Sequence, residues 1–124
     1  MKKMIVFMLF ALCSIPMMAQ NDVYDQPEVQ AQFVGGQQAF REWLMENVVY
    51  PKEAQVRQLR GRVIVQFVID KEGNVTSPTI LKSIDPILDK AALKLVKKMP
   101  KWIPGTVAGR PVAVRYTLPI NYSY

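Results

Sequence analysis

Large apolar or aromatic residues occupy every second position near the end of the sequence, from Val112 to Tyr122. A period of two is typical of a β-strand with one face on a core and the other in water. The pattern therefore predicts a long, half-buried strand over residues 110–122. Its inward positions are Val112, Val114, Tyr116, Leu118, Ile120 and Tyr122, and its outward positions are Ala113, Arg115, Thr117, Pro119 and Asn121.

One edge of this predicted strand is marked by Pro119, which has no N–H and cannot donate to a strand on its side. Alternate N–H groups point to alternate edges, so residues 113, 115 and 117 direct theirs to the same edge as Pro119. We expect this edge to be unpaired within the domain and available to a partner's extended peptide. The alternative is a solvated edge that its polar residues only protect from aggregation.

Two more strands are predicted in the middle of the chain. Read as a strand, residues 62–70 have one face that is apolar throughout and a second face that is half apolar, which is typical of a central strand. Residues 70–74 predict a hairpin loop with Gly73 or Asn74 at a positive φ. Residues 75–83 return as a strand that contains Pro78, so this strand should lie at the opposite edge of the sheet or carry a bulge.

Three helical segments accompany these strands. Residues 37–48 repeat apolar side chains at intervals of three and four, which is the helical period. A short segment over 51–58 opens on proline, and Asp85 and Pro86 predict the N-cap and first residue of the main helix. The predicted buried stripe of that helix is Leu88, Ala92, Leu95 and Met99, widened by Ala91 and Val96.

The order helix, strand, strand, helix, strand predicts an α+β fold. The economical arrangement is a three-stranded antiparallel sheet with helices packed on one face. A chain of 124 residues can bury one modest core, and we expect residues 33–124 to form that domain.

The first residues predict export. Two lysines, an apolar run over residues 4–15 and the small residue Ala19 are typical of a signal peptide over 1–19, cleaved after Ala19 to release the chain into the periplasm. A transmembrane helix needs about 20 apolar residues, so an uncleaved inner-membrane anchor facing the periplasm is the alternative. Residues 20–32 are polar and without period, and we expect them to form a flexible leader.

Composition excludes several kinds of chemistry. Histidine is absent and the one cysteine, Cys13, falls inside the predicted signal peptide. Histidine-based catalysis, histidine–zinc sites and disulfides are therefore not predicted, and we expect neither an enzyme nor a cofactor. The formal charge of +6, or +4 after loss of Lys2 and Lys3, suits an acidic partner, but export makes nucleic acid a poor candidate.

A set of short motifs, in unbroken order over residues 33–122, resembles the C-terminal domain of TonB proteins. Each motif is short, and the specificity lies in the ordered set. The motifs are Phe33-Val-Gly-Gly36, Tyr50-Pro-Lys-Glu-Ala54, Gly61-Arg-Val-Ile-Val-Gln-Phe67, Asp70-Lys-Glu-Gly-Asn-Val75, Leu88-Asp-Lys-Ala-Ala-Leu93, Met99-Pro-Lys-Trp-Ile-Pro-Gly105, Gly109-Arg-Pro-Val112 and Val114-Arg-Tyr-Thr-Leu-Pro-Ile-Asn121.

The resemblance implies a module that binds outer-membrane TonB-dependent transporters in the periplasm. In that family the transporter's N-terminal segment, the TonB box, adds as a strand beside the last strand of the domain. Full TonB proteins also have an inner-membrane helix that meets the ExbB–ExbD motor and a long Pro-rich spacer, and we expect neither here. The partner-binding residues that the resemblance implies are Val112, Ala113, Val114, Arg115, Tyr116, Thr117, Leu118, Val49, Tyr50 and Pro51.

Two alternatives stay open. An uncleaved N-terminal segment would make the chain a minimal energy transducer that needs an ExbB–ExbD-type motor. A chain that used the open edge for itself would be a scaffold or regulatory module, joined as a homodimer by strand exchange. The outward lysines of the main helix are interpreted as a solvated face; they are Lys90, Lys94, Lys97 and Lys101.

Overall fold

The computed structural model describes residues 22–123, so the predicted signal peptide over 1–19, with Cys13, lies outside the described residues. The helices described are α1 (Gly36–Asn47), α2 (Lys52–Val56) and α3 (Pro86–Lys97). The strands described are β1 (Val23–Tyr24), β2 (Gly61–Ile69), β3 (Val75–Lys82), β4 (Gly105–Val107) and β5 (Arg110–Tyr122). All three predicted helices and all three predicted strands are confirmed, with bounds that differ by no more than about two residues.

β2 lies inside the sheet, whose strand order is β1-β5-β2-β3 with β4 paired to β5. β5 runs antiparallel to β2 from Tyr122, opposite Gly61, to Val114, opposite Ile69. This register joins the inward positions of the two strands into one apolar face, and the predicted α+β class is confirmed. The paired inward positions are Val63 with Ile120, Val65 with Leu118, and Phe67 with the partly buried Tyr116.

The β2–β3 hairpin has the chemistry that its sequence predicts. Gly73, at φ +91°, provides the positive φ of the turn. Asp70 closes the loop by accepting the backbone N–H groups of Glu72 and Asn74, each at 2.9 Å. β3 then lies at the outer side of the sheet with irregular pairing opposite Pro78, which confirms both the edge position and the bulge.

The helices cover the apolar face of the sheet. Asp85 caps α3 by accepting the backbone N–H of Ile87 at 3.0 Å, as predicted. α3 buries Leu88, Ala92, Leu95 and Val96, whereas α1 buries only Phe40 completely and leaves its other apolar residues partly exposed. Within the described part of the chain, no helix combines the length and the apolar character needed to cross a bilayer.

Two short strands, β1 and β4, lie outside the predictions and make the sheet mixed. β4 forms a hairpin with the start of β5. β1 belongs to the leader (residues 22–32), and Val29 and Gln32 of the leader form bridges to Thr106 and Ile103. The sequence, which predicts a flexible leader over residues 20–32, does not predict these contacts. A two-residue strand is too short to show a period, and its pairing depends on β5, which is distant in sequence.

Candidate functional site

β5 has one long edge that faces away from β2. In the observed register, Pro119 stands opposite Ile64. Proline has no N–H to donate, so the β2–β5 ladder is complete only if Ile64 and Pro119 form a non-hydrogen-bonded pair. The backbone N and O atoms of Pro119 then point away from β2. Alternation then directs the N–H groups of residues 113, 115 and 117 away from β2 as well. In this register the direction of these N–H groups follows from Pro119, as it does in the sequence argument.

The expectation that this edge is unpaired within the domain is wrong for its first part. β1 lies there, parallel to β5, with Val23 opposite Ala113 and Tyr24 opposite Val114. From residue 115 onward, no strand among the described residues pairs with β5 on the side away from β2. The open edge therefore consists of residues 115–122.

Arg115 stands where the covered part of β5 meets the open edge. Its guanidinium Nη1 lies 2.6 Å from Oδ1 of Asp25, and the two side chains are 37% and 71% exposed. A solvent-exposed pair of this kind contributes about 0–1 kcal/mol. Beyond it, Oγ1 of the exposed residue Thr117 accepts a long hydrogen bond of 3.5 Å from Gln66. The outer face of the open edge is thus polar and begins with a positive charge.

An apolar groove of about 470 Å³ adjoins the far end of the open edge. It lies between α1 and β5, so side chains of an extended peptide added to this edge would reach it on the core side of the sheet. Met45 in this groove is 81% exposed, although it is large and apolar. The lining residues are Arg41, Leu44, Met45, Val48, Pro119, Ile120 and Asn121.

An aromatic cluster supports the open edge from the core side. The ring of Tyr116 stacks on Phe67 with centroids 5.4 Å apart and lies 5.1 Å from Trp102. Phe40 of α1 meets both Trp102 and Tyr116, at 5.0 and 6.3 Å. Burial raises the pKa of the Tyr116 hydroxyl. Because rings on three separate elements fix Tyr116, the backbone of β5 is held firmly behind the edge.

The other three predicted partner-binding residues, Val49, Tyr50 and Pro51, do not lie on one surface. The ring of Tyr50 packs edge-on against Tyr122, 5.7 Å away at the end of β5. Val49 and Pro51 instead line a groove of about 520 Å³ that faces α3, and none of residues 112–118 lines it. The structure therefore brings Tyr50 to the end of β5 but places its two neighbours on another surface.

Three acidic residues, Asp70, Asp85 and Asp89, take part in turn and cap hydrogen bonds. Desolvation raises the pKa of Asp70, but the hydrogen bonds from Asn74 and Glu72 outweigh it and hold that pKa below its ordinary value. Asp89 accepts a hydrogen bond from the hydroxyl of Ser83. In the part of the chain that the structure describes, no group of three His, Cys, Asp or Glu residues is placed to hold a metal ion.

Sequence reasoning missed the residues that border the open edge. Val23, Tyr24 and Asp25 lie in a polar segment, where a β-branched residue beside an aromatic one is the only strand signal and is too short to carry a prediction. Arg41 lies off the apolar stripe of α1, and it lines the groove with Met45 because β5 passes that side of the helix. Both omissions concern contacts between elements that are far apart in sequence.

The TonB resemblance is supported by curated relatives. The chain is 38% identical to a Helicobacter pylori (strain J99) Protein TonB over 76 residues, which is 60% of this chain and 25% of that protein. It is 34% identical to a Vibrio cholerae Protein TonB over 74 residues, which is 59% of this chain and 30% of that protein. The chain thus spans between a quarter and a third of the length of these relatives.

Solved structures and a family model agree with this likeness. The solution NMR structure of the Helicobacter pylori TonB C-terminal domain superimposes with a TM-score of 0.53 and 30% identity, covering 68% of this chain and 76% of that one. The Pseudomonas aeruginosa TonB C-terminal domain gives 0.50 and 28%, covering 61% and 77%. The model of the family described as Gram-negative bacterial TonB protein C-terminal matches residues 46–124, well over half of the sequence. The chain belongs to this TonB C-terminal family.

Proposed function

We propose that this chain is a periplasmic TonB-like binding module. Its open edge pairs with the TonB box, the extended N-terminal segment of an outer-membrane TonB-dependent transporter, and so supports active transport across the outer membrane. The observation that carries the proposal is the unpaired stretch of β5 over residues 115–122, next to the apolar groove under α1. Membership of the TonB C-terminal family supports the class of partner.

Main-chain hydrogen bonds provide most of the pairing energy in this proposal. Each contributes about 0.5–1.5 kcal/mol net, and a short edge offers only a few of them. One apolar side chain seated in the groove adds about 1.5–3 kcal/mol. Together these terms favour a weak affinity, about micromolar at the tightest, which suits a contact that forms and breaks repeatedly.

The compartment is part of the same proposal. Export with cleavage after Ala19 would place the module in the periplasm, where a transporter's N-terminal segment is accessible. N-terminal sequencing of the exported protein tests this, and a start at Gln20 is the expected result. A retained Met1 would instead favour an anchored transducer coupled to an ExbB–ExbD-type motor.

Substitution of Thr117 separates main-chain pairing from side-chain contact. Thr117→Pro removes an N–H that faces the open edge, and Pro119 shows that β5 accommodates proline two residues away. Thr117→Val retains the N–H and matches threonine in shape, so it is the control. Both variants of the full chain are titrated, by calorimetry, with synthetic peptides of transporter N-terminal segments.

The proline variant is expected to bind about tenfold more weakly or worse, because it loses a hydrogen bond and its ring obstructs the added strand. The valine variant is expected to bind within about twofold of the unmodified chain, since only the long hydrogen bond from Gln66 is lost. Circular dichroism checks that both variants are folded. Unchanged binding by a folded Thr117→Pro variant would refute strand addition at β5, and a self-dimer abolished by this variant would assign the edge to a second copy.

A further inference from the structure

The leader covers the beginning of the edge that a partner strand needs, and we propose that it is a built-in competitor for that edge. This inference rests on the proposed function and concerns the regulation of the same site. β1 pairs with Ala113 and Val114, two residues of β5 that lie directly before the open edge. A partner strand that extends along residues 113–122 has to displace β1 first. Pairing along this full length is therefore coupled to release of the leader's first half.

The second half of the leader is firmly attached and acts as a tether. Val29 exchanges two backbone hydrogen bonds with Thr106, at 3.0 and 2.9 Å, and Gln32 exchanges two with Ile103, at 2.9 and 2.7 Å. Between these bridges, Ala31 is only 4% exposed. Four main-chain hydrogen bonds around a buried residue keep this half on the domain when the first half opens.

The first half is held by much less. β1 has only two residues, and Val23 is 36% exposed. The Asp25–Arg115 ion pair lies in solvent, where it is weak and screened by salt. Glu28 marks the boundary, because its carboxylate accepts the backbone N–H of Ala108 in the β4–β5 turn. Residues 22–27 are thus the part of the leader that opens most easily.

The tether makes this competition independent of protein concentration. A covalently linked strand competes at an effective concentration fixed by geometry, on the order of millimolar for a short connection. The apparent affinity for a partner is reduced by the fraction of molecules whose β1 is released. A two-residue ladder and one exposed ion pair bias the chain towards the covered form by about tenfold to a hundredfold. Release of the leader should raise the affinity within that range.

Charge reversal in the leader provides the test. Asp25→Lys in the full chain replaces the ion pair with two cations that face each other. Asp22→Lys is the matched control, because it makes the same change of charge three residues earlier and the Asp22 side chain has no ion pair or hydrogen bond with the described residues. Tyr24→Pro is a second variant that disrupts β1 without a change of charge. The probes are synthetic peptides of transporter N-terminal segments, titrated by calorimetry.

The Asp25→Lys variant is expected to bind these peptides about threefold to tenfold more tightly than Asp22→Lys, and Tyr24→Pro at least about threefold more tightly than the unmodified chain. Without peptide, hydrogen exchange at the amide of Ala113 should be faster in Asp25→Lys and Tyr24→Pro than in the unmodified chain. Faster exchange together with tighter binding would support the proposal that the leader competes with a partner strand for β5.

Two results would overturn the inference and leave the proposed function standing. If all variants bind the peptides with equal affinity, the leader does not compete. If Asp25→Lys or Tyr24→Pro binds more weakly than its reference, the leader is part of the binding surface instead. A failure of every variant and of the unmodified chain to bind any peptide overturns the proposed function, and the inference falls with it.

Discussion

Replacement of Gly73 by alanine should destabilise the domain by about 2–4 kcal/mol. Gly73 has φ +91°, a conformation that costs an L-residue roughly 1 kcal/mol or more. A Cβ at this position would also overlap the carbonyl oxygen of Trp102, a backbone atom that cannot rotate away. Overpacking of this kind costs about 1–3 kcal/mol. The hairpin loop and the connector between α3 and β4 (residues 98–104) are joined here by the hydrogen bond from Trp102 N–H to the Gly73 carbonyl, at 2.8 Å. Relief of the clash would therefore break that contact.

Gly109→Ala isolates the conformational part of this penalty. Gly109 also has a positive φ, +76°, but a Cβ there would meet no atom within 4 Å. Its alanine variant should lose about 1 kcal/mol. Urea unfolding of both variants, followed by tryptophan fluorescence, gives the difference between them. A Gly73→Ala variant no less stable than Gly109→Ala would show that the loop does not approach the connector as closely as described, and would refute the reasoning.

Two further predictions concern α3 and the end of β5. Asp85→Ala should lower the free energy of unfolding by about 1 kcal/mol in urea titrations, because it removes the side-chain acceptor for the N–H of Ile87; an unchanged midpoint would contradict the cap. Burial, with a smaller effect of the Asp89 carboxylate, raises the pKa of Tyr122 to about 12. The neutral hydroxyl therefore stabilises the folded chain below about pH 10, and this stabilisation is lost as the pH rises towards 12. The Tyr122→Phe variant cannot ionise at this position, so the pH at the midpoint of its alkaline unfolding, followed by circular dichroism, should be higher. An unchanged midpoint would show that ionisation of Tyr122 does not contribute to alkaline unfolding.

The elements that the sequence predicts correctly are those whose signals are local. β2 and β5 are long enough for their alternation to be read, and α3 begins at an Asp-Pro pair whose cap chemistry needs only two neighbouring residues. The position of Pro78 likewise predicts an outer strand because proline's missing N–H is a property of one residue. Patterns of this kind do not depend on the rest of the fold.

The parts that the sequence does not predict depend on contacts between distant segments. β1 is a strand only because β5 presents main-chain groups to it, and about 90 residues separate the two along the chain. Val49 and Pro51 adjoin Tyr50 in sequence, yet the turn between α1 and α2 directs them to the groove at α3. The sequence thus predicts which edge of β5 faces outward, and only the folded chain shows how much of that edge the leader covers.

The irregular pairing of β3 opposite Pro78 limits how large an assembly this domain can build. β3 is the other outer strand of the sheet, and its bulge and proline interrupt the row of hydrogen-bonding groups that a further strand would need. Copies of this domain can then join only through their β5 edges, and such a pair leaves neither copy with a second regular edge to offer. We therefore expect self-association by strand addition to stop at a closed pair of copies, and the irregular outer strand is the kind of edge that disfavours growth into fibres.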